Sequence, residues 1–439
     1  MRPESIGSFD VVVVGSGAAG SSAAIAAARS GATTLLIEKL PFLGGNSTAV
    51  LDTFYGFYTP GERSQKVVAG IGDDVIDGLR RLGKVLERPN TYGAGTGVTY
   101  LAEHLKVVWE SLVVDAGARV LLHAFVQDAD VSDGRIETLL VATKSGLRKV
   151  EAKVFIDASG DADVSHHAGF SYELAGEIDP AQTLTTTFRM ANVDQERRET
   201  ISKDEMHALM AGAAESGQYD LPRREGSDHI TPVDGITATV MTRIDHVTRL
   251  SDGTVVNATD PDVLTLAEME GRRQALEYAR FLVDRVPGYE RASLIALSSQ
   301  IGMRETRRVH GDYRVTRDDV LSARQFDDQV GLCGAPIEDH VPGTGTKWEY
   351  LPEGSAVGIP LATLIPRDGV NALIAGRCFS ATHDAQASIR SMAQCMAMGQ
   401  AVGTVAAMAA DGGGEVREVA YAEVRDQLVK DGAILELDR

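Results

Sequence analysis

The sequence predicts an α/β protein: a Rossmann-like domain built on a parallel sheet, with a βαβ start and a β-meander, interrupted by an inserted α+β domain. Three observations predict this. Residues 9–39, FDVVVVGSGAAGSSAAIAAARSGATTLLIEK, read as strand, glycine turn, helix and strand. A run of strands and turns from 118 to 161 gives way, beyond Gly169, to a mixed pattern of strand-like and helical stretches. A buried strand, VNALIAGR, then returns at 370–377. Residues 1–170 and 301–439 are therefore assigned to the Rossmann-like domain, and 171–300 to the insert.

Each element has a local cause. Val11 to Val14 is a continuous apolar run without polar alternation, as a parallel strand covered on both faces requires. The alanine-rich stretch Ser21 to Ser30 is a good helix former, Gly31 stops it, and Thr33 to Ile37 is the next buried strand. Leu101 to Ala116 has helical periodicity, with Gly117 as its stop. In the run that follows, Asp133-Gly134 and Ser145-Gly146 mark hairpin turns. Within the insert, TLTTTFRM (183–190) and GITATVMTRIDHVTRL (235–250) are strand-like, and Leu264 to Val286 is an amphipathic helix closed by Pro287-Gly288. Ser391 to Ala410 is nearly uncharged, but Gln394, Gln400 and its many small residues predict a buried helix rather than a membrane span. ADGGGE breaks that helix, and a short helix near Val416 to Val429 closes the chain.

Gly15, Gly17 and Gly20 form GxGxxG directly after a strand and directly before a helix. In that setting the first glycine permits a tight turn, the second lets backbone approach a pyrophosphate, and the third lets helix and sheet pack closely. The helix N-terminus then faces the phosphate charge. Glu38 closes the second strand where a carboxylate can accept ribose hydroxyls, and an acid there repels a 2′-phosphate. Gly44-Gly45 offers bare backbone N–H groups next to Asn46, Ser47 and Thr48.

These stretches resemble the FAD-dependent oxidoreductases of the glutathione-reductase-like structural class, near the branch that shares its flavin domain with fumarate reductase flavoproteins. VFIDASGDAD (154–163), IGMRETRRVHGDY (301–313) and the stretch from Leu373 to Gly403 carry the resemblance further, so it extends from residue 10 to about 405. It implies an FAD-binding domain, with FAD held non-covalently. It places Gly15, Ser16, Gly17, Ala18, Ala19 and Gly20 at the pyrophosphate and Glu38 and Lys39 at the adenosine end. Gly44, Gly45, Asn46, Ser47 and Thr48 would meet the ribityl chain and flavin edge; Val126 would give backbone contacts to adenine, although by itself it reads as a core strand valine. Ala158, Ser159, Gly160 and Asp161 would pass beside the cofactor, and Gly376 and Arg377 would lie near the ribityl phosphate. A helix beginning near Ser388, with Ile389 and Met392, would turn its N-terminus towards the flavin pyrimidine.

A flavin supplies the electron chemistry, so the protein must place a substrate, handle a proton and stabilise charge. His383, between the glycine-ended strand and the last long helix, is the candidate proton-transfer residue, with Asp384 to orient it or to cap the helix. Arg304 and Arg390 are candidate anchors for a carboxylate or carbonyl. For Arg304, Arg307 and Arg308 the competing reading is an ion-pair network with Glu305 and Asp312. Tyr55, Phe57 and Tyr58 would form an aromatic wall or pack beneath their loop. His166-His167 lack a third ligand at a metal-binding spacing, and no metal is expected.

The net charge of −19 disfavours loose binding to nucleic acid or anionic membrane. Cys333, Cys378 and Cys395 are too scattered for a disulfide framework or CxxC motif, which fits a reducing cytoplasm. Cys395 reads as a small buried hydrophobe; Cys333 is the one thiol in an irregular glycine-rich stretch, where a flavin linkage or redox thiol is the alternative to the same structural reading. No secretory signal is visible at the N-terminus. The expected activity is two-electron oxidation of a small organic molecule by hydride transfer to FAD. The alternatives are reduction of an activated double bond and electron transfer with a protein partner.

Overall fold

The computed structural model of the chain describes residues 3–88, 95–343 and 345–437. Its main sheet starts with β1 (Glu4–Val14), whose last four residues are buried, followed by α1 (Ala18–Arg29) and β2 (Thr34–Ile37). β2 lies parallel to β1, with Val11 opposite Thr34 and Val14 opposite Ile37. α2 (Ala102–Asp115) leads to β3 (Arg119–Leu121), which extends the sheet in parallel on β2. The meander β4 (Phe125–Ser132), β5 (Arg135–Thr143) and β6 (Gly146–Asp157) completes the order β3-β2-β1-β6-β5-β4. The first hairpin closes at Asp133-Gly134 as expected. The second turns on Lys144-Ser145, one residue earlier than the sequence suggests, because Thr143 pairs with Gly146.

β6 serves two neighbours along one edge. Its first half pairs with β5, and its last three residues pair in parallel with the returning strand β11 (Ala372–Ile374). Asn371 closes the gap between them: its amide oxygen accepts from the Ile136 N–H, and its Nδ2 donates to the carbonyls of Ile136 and Lys153. A buried amide with its groups satisfied thus brings a strand from late in the chain back beside the glycine turn.

Within the stretch assigned to the insert, a separate antiparallel sheet is formed by β7 (Phe188–Ala191), β8 (Ser227–Ile230), β9 (Thr237–Val240) and β10 (Ser293–Leu297), in the order β8-β9-β7-β10. α3 (Lys203–Glu215) and α4 (Pro261–Arg285) close a separate core with it, in which Phe188, Met206, Met210, Tyr278, Phe281 and Tyr289 meet. α4 starts earlier than its apolar pattern, because Asp260 caps the N–H groups of Asp262 and Val263 and Pro261 occupies the first turn. The strand expected over 235–250 stops at Val240; beyond it Thr242 bonds across to Thr186 and Ile244 bridges Leu184.

Late in the chain, α5 (His383–Ile389) and α6 (Met392–Asp411) are two helices, broken at Arg390 and Ser391. No helix among the described residues is long and apolar enough to cross a membrane. α6 packs its small residues closely against α1 and also lies against the sheet strands β1 and β6. A Cβ on Gly399 would stand 2.1 Å from the Ala19 carbonyl oxygen, and one on Gly403 2.3 Å from that of Ala23. The closing helix α7 is shorter than expected, Tyr421–Lys430, with Val416–Glu418 forming a separate 3₁₀ turn because Val419 and Ala420 are extended.

Gly403→Val is expected to lower the unfolding free energy by about 2 kcal/mol or more in urea titrations, as overpacking of a close helix contact does. Gly412→Ala, with no atom nearer than 3.7 Å to its new Cβ, is expected to stay within about 0.5 kcal/mol of the parent.

Candidate functional site

A cavity of about 550 Å³ runs from the glycine turn after β1, past β6 and β11, to the insert. Gly15 (φ +91) makes the turn, and a Cβ there would lie 2.4 Å from the Ala158 carbonyl oxygen. A Cβ on Gly20 would collide with the Gly15 oxygen at 1.8 Å, whereas one on Gly17 would meet nothing within 4 Å. Two glycines therefore close the backbone and the middle one leaves it open to the cavity. Ser16, Ala18 and Ala19 line the same wall.

Glu38 is buried beside this turn. Its Oε2 accepts from the N–H and hydroxyl of Ser16 at 2.7 and 2.6 Å, and its Oε1 from the Leu40 N–H. With two donors already on Oε2 and one on Oε1, it is Oε1 that keeps acceptor capacity for a ligand hydroxyl. Gly44, Gly45, Asn46 and Ser47 line the cavity next, with Asn46 reaching the Met303 carbonyl. Thr48 does not line it: its hydroxyl is spent on the carbonyls of Leu43 and Gly45.

Ala158, Ser159, Gly160 and Asp161 form the opposite wall with Gly376 and Arg377. Arg377 donates to the carbonyls of Gly160 and Met303 and pairs with Asp161 at 2.5 Å; Lys39 lies 3.8 Å from the same carboxylate. Burial opposes ionisation of Asp161, but Arg377, Lys39 and the Thr306 hydroxyl hold its carboxyl below the usual range. Val126 lies in the apolar core with Val14, Leu35 and Ile37, away from the cavity lining.

The helix terminus at the cavity is that of α6. Ser391 and Met392 line the wall, and no side chain caps the first turn, so its backbone N–H groups remain available. Ser388 and Ile389 instead lie inside α5; the Ser388 hydroxyl donates to the Ala335 carbonyl at 2.6 Å and Ile389 is core. The expected helix start near Ser388 is thus displaced to Met392 by the break at Arg390. Cys395 does reach the cavity, but burial pushes its thiol up to about 12. Cys333 lies against Ser388, outside the lining, with its thiol pushed up by burial to about 11. Neither is a ready thiolate.

His383 is not at the cavity. Buried at the first turn of α5, it sets Nδ1 3.0 Å from Glu305 and Nε2 3.0 Å from Asp339, so both ring nitrogens face carboxylates and neither faces a ligand. Arg307 and Arg308 are structural: Arg307 reaches the Asp161 carbonyl and Asp163, and Arg308 pairs with Glu305 and Glu173. Asp312 pairs elsewhere, with Arg417. Arg304 departs from that network. It lines the cavity, donates to the Thr183 carbonyl and Thr185 hydroxyl at 2.7 Å, and has no carboxylate in ion-pairing range among the described residues. Arg390 also lines the cavity, bonding Gln182 and the Glu338 carbonyl, and among the described residues it has no paired carboxylate and its Nε no partner. Withdrawal from water and mutual repulsion lower the proton affinity of Arg304, and withdrawal from water that of Arg390.

The cavity's insert end gathers groups that sequence reasoning missed. Glu338 and His340 lie on and just after the short strand Ile337–Asp339, paired with Lys347–Glu349, which brings in Trp348. His340 Nε2 is 2.9 Å from Glu338 Oε1, and its Nδ1 3.2 Å from the Thr346 hydroxyl. Burial and the nearby Arg304 hold His340 well below the ordinary imidazole range; against the opposing effect of burial, the His340 hydrogen bond and the charges of Arg390 and Arg304 hold Glu338 down at about 2. Of the aromatic cluster only Tyr55 lines the cavity, while Phe57 is core. The one signal for this end was compositional: GAPIEDHVPGTGTKWEY packs acids, a histidine and glycines into an irregular stretch.

Known proteins bear on this site. A profile of the FAD-dependent oxidoreductase family matches residues 10–428. The fumarate reductase (cytochrome) of Shewanella frigidimarina is 48% identical over 58 residues, 13% of this chain and 10% of that protein. The digeranylgeranylglycerophospholipid reductase of Picrophilus torridus is 30% identical over 194 residues, 43% of this chain and 48% of that one. The chain thus spans about half or less of the length of these curated relatives. Among solved structures, a geranylgeranyl bacteriochlorophyll reductase-like protein from Thermoplasma acidophilum covers 96% of this chain and 82% of its own, at 15% identity and TM-score 0.45. A flavin-dependent brominase covers 96% and 84%, at 13% identity and TM-score 0.48.

Two variants separate cavity from scaffold. Gly17→Val, whose side chain points into open space, is expected to fold with unchanged thermal stability in its apo form and to lose FAD, measured by flavin content after dialysis. His383→Ala, which leaves Glu305 and Asp339 without their shared partner, is expected to retain FAD and to lose about 3 kcal/mol in urea unfolding.

Proposed function

The chain belongs to the FAD-dependent oxidoreductase family, and from that premise we propose that it oxidises a small organic substrate carrying a carboxylate, held by Arg304 and Arg390. The observation that supports this is the pair of guanidinium groups recessed in the cavity wall with no carboxylate partner among the described residues. Guanidinium charges withdrawn from water with no carboxylate in direct contact, and with Glu338 nearby to offset them only in part, favour an incoming anion, and a planar guanidinium grips a carboxylate through two parallel bonds.

The residues present suit non-covalent FAD. Ser16 to Ala19 border open space at the pyrophosphate position; Glu38 and Lys39 serve the adenosine end, with Val126 assigned there only by resemblance. Gly44 to Ser47, Ala158 to Asp161, Gly376 and Arg377 flank the remaining length, and the uncapped start of α6 at Ser391–Met392 supplies N–H groups and a positive dipole end for the pyrimidine side. When bound, FAD accepts a hydride from the substrate. The chain's own part is to hold the substrate acid on Arg304 and Arg390, to exclude water with Tyr55 and Trp348, and to receive a proton within the cavity. A recessed cavity of about 550 Å³ favours a small-molecule enzyme over electron transfer to a protein partner.

The same anchors would serve the reverse reaction, reduction of a double bond conjugated to a carboxylate. The local match to a fumarate reductase motivates that second reading. Anaerobic mixing of the FAD-loaded protein with panels of hydroxy acids, amino acids, alcohols and amines distinguishes the directions. Bleaching of the flavin by a carboxylate-bearing reductant is expected. Arg304→Met and Arg390→Met should each lower its kcat/KM at least about tenfold, the loss of a charged hydrogen bond. Bleaching only by uncharged alcohols or amines would refute the anchor.

A further inference from the structure

We infer that the substrate is an α-hydroxy carboxylate, whose hydroxyl proton leaves through a relay of Thr346, His340 and Glu338. The inference rests on the carboxylate anchor proposed above and adds the atom next to it. The two halves of the site are tied together by shared neighbours. Thr183 donates its N–H to the His340 carbonyl at 2.9 Å and accepts from Arg304 at its own carbonyl at 2.7 Å. Arg390 donates to the carbonyl of Glu338 at 3.4 Å. The anchors and the relay therefore occupy one end of the cavity, and all five side chains line it.

The relay has a defined direction. Glu338 accepts from His340 Nε2 at 2.9 Å, which assigns the ring proton to Nε2 and leaves Nδ1 as an acceptor 3.2 Å from Thr346 Oγ1. Arg243 donates to the same Thr346 oxygen at 3.3 Å, so the hydroxyl turns its own proton towards Nδ1. Glu225 accepts the Thr346 N–H at 3.2 Å and holds the threonine at this spot. When the substrate C–H bond breaks, its electron pair and hydrogen leave as hydride to the FAD, and the C–O bond becomes C=O. The hydroxyl proton passes to Thr346 Oγ1 as the threonine proton moves to His340 Nδ1, and the imidazolium formed lies against the Glu338 carboxylate. No other oxidant is required. The charged groups around His340 are Glu338, Arg304 and Arg223, with Arg243 and Glu225 acting through Thr346.

Two measurements on the full-length FAD-loaded protein test it. In anaerobic rapid mixing with glycolate, lactate and malate, at least one is expected to bleach the flavin. His340→Gln and Thr346→Val should slow that bleaching about 100-fold or more, with KM within a few-fold and the acid limb of the rate profile flattened; Thr346→Ser should recover most of the rate. Bleaching by amino acids but by none of the three hydroxy acids would overturn the inference and leave the carboxylate anchor standing, as would full-speed bleaching in His340→Gln. Independently of any substrate, ¹⁵N NMR of histidine-labelled protein should find His340 neutral, protonated on Nε2, with its Nδ1 resonance displaced by Thr346→Val. A ring protonated on Nδ1, or one indifferent to Thr346→Val, would overturn the relay.

Discussion

Everything in the cavity depends on how closely the turn after β1 approaches the end of β6. With a Cβ at Gly15 there would be 2.4 Å to the Ala158 oxygen, and with one at Gly20 1.8 Å to the oxygen of Gly15. Only bare backbone permits that approach, and it leaves Gly17 facing open space with the start of α1 behind it. The same economy recurs where α6 lies on α1 through Gly399 and Gly403, which brings the second helix N-terminus, at Met392, to the other side of the same space.

Charge is distributed against the trend of the whole chain. A protein of net charge −19 directs Arg304 and Arg390 into its cavity with no carboxylate in ion-pairing range among the described residues, whereas Arg308 pairs with Glu305 and Glu173 and Arg377 with Asp161. Matching the latter keeps the scaffold neutral where water is excluded. With no ion-paired carboxylate on Arg304 or Arg390 among the described residues, we propose this end of the cavity as an anion site, at the cost of lowered proton affinity on both.

Much of this was legible in the sequence, for reasons that can be located. The βαβ start and the meander follow from continuous apolar runs and turn dipeptides, which act over a few residues. Arg304 and Arg390 lie in motifs adjoining the cofactor walls, and both line the cavity. His383 was misjudged, since its chain position beside the strand end is right but Glu305 and Asp339 draw its ring away from the cavity. Ser388, Ile389 and Thr48 failed for a related reason: a break at Arg390 shifts the helix start, and the Thr48 hydroxyl is consumed locally. Glu338, His340 and Thr346 carry no periodicity; they meet only because the hairpin of Ile337–Asp339 and Lys347–Glu349 folds beside the insert.

The proposed anion site rests on Arg304 and Arg390, which line the cavity beside the flavin position with no ion-paired carboxylate among the described residues. Titrating the FAD-loaded protein with oxalate while following the flavin absorbance tests it most directly. A saturable spectral change is predicted, abolished in the Arg304→Met/Arg390→Met double variant, whose FAD content stays at parent level. Absence of any change in the parent, or an unaltered titration in the double variant, would contradict it.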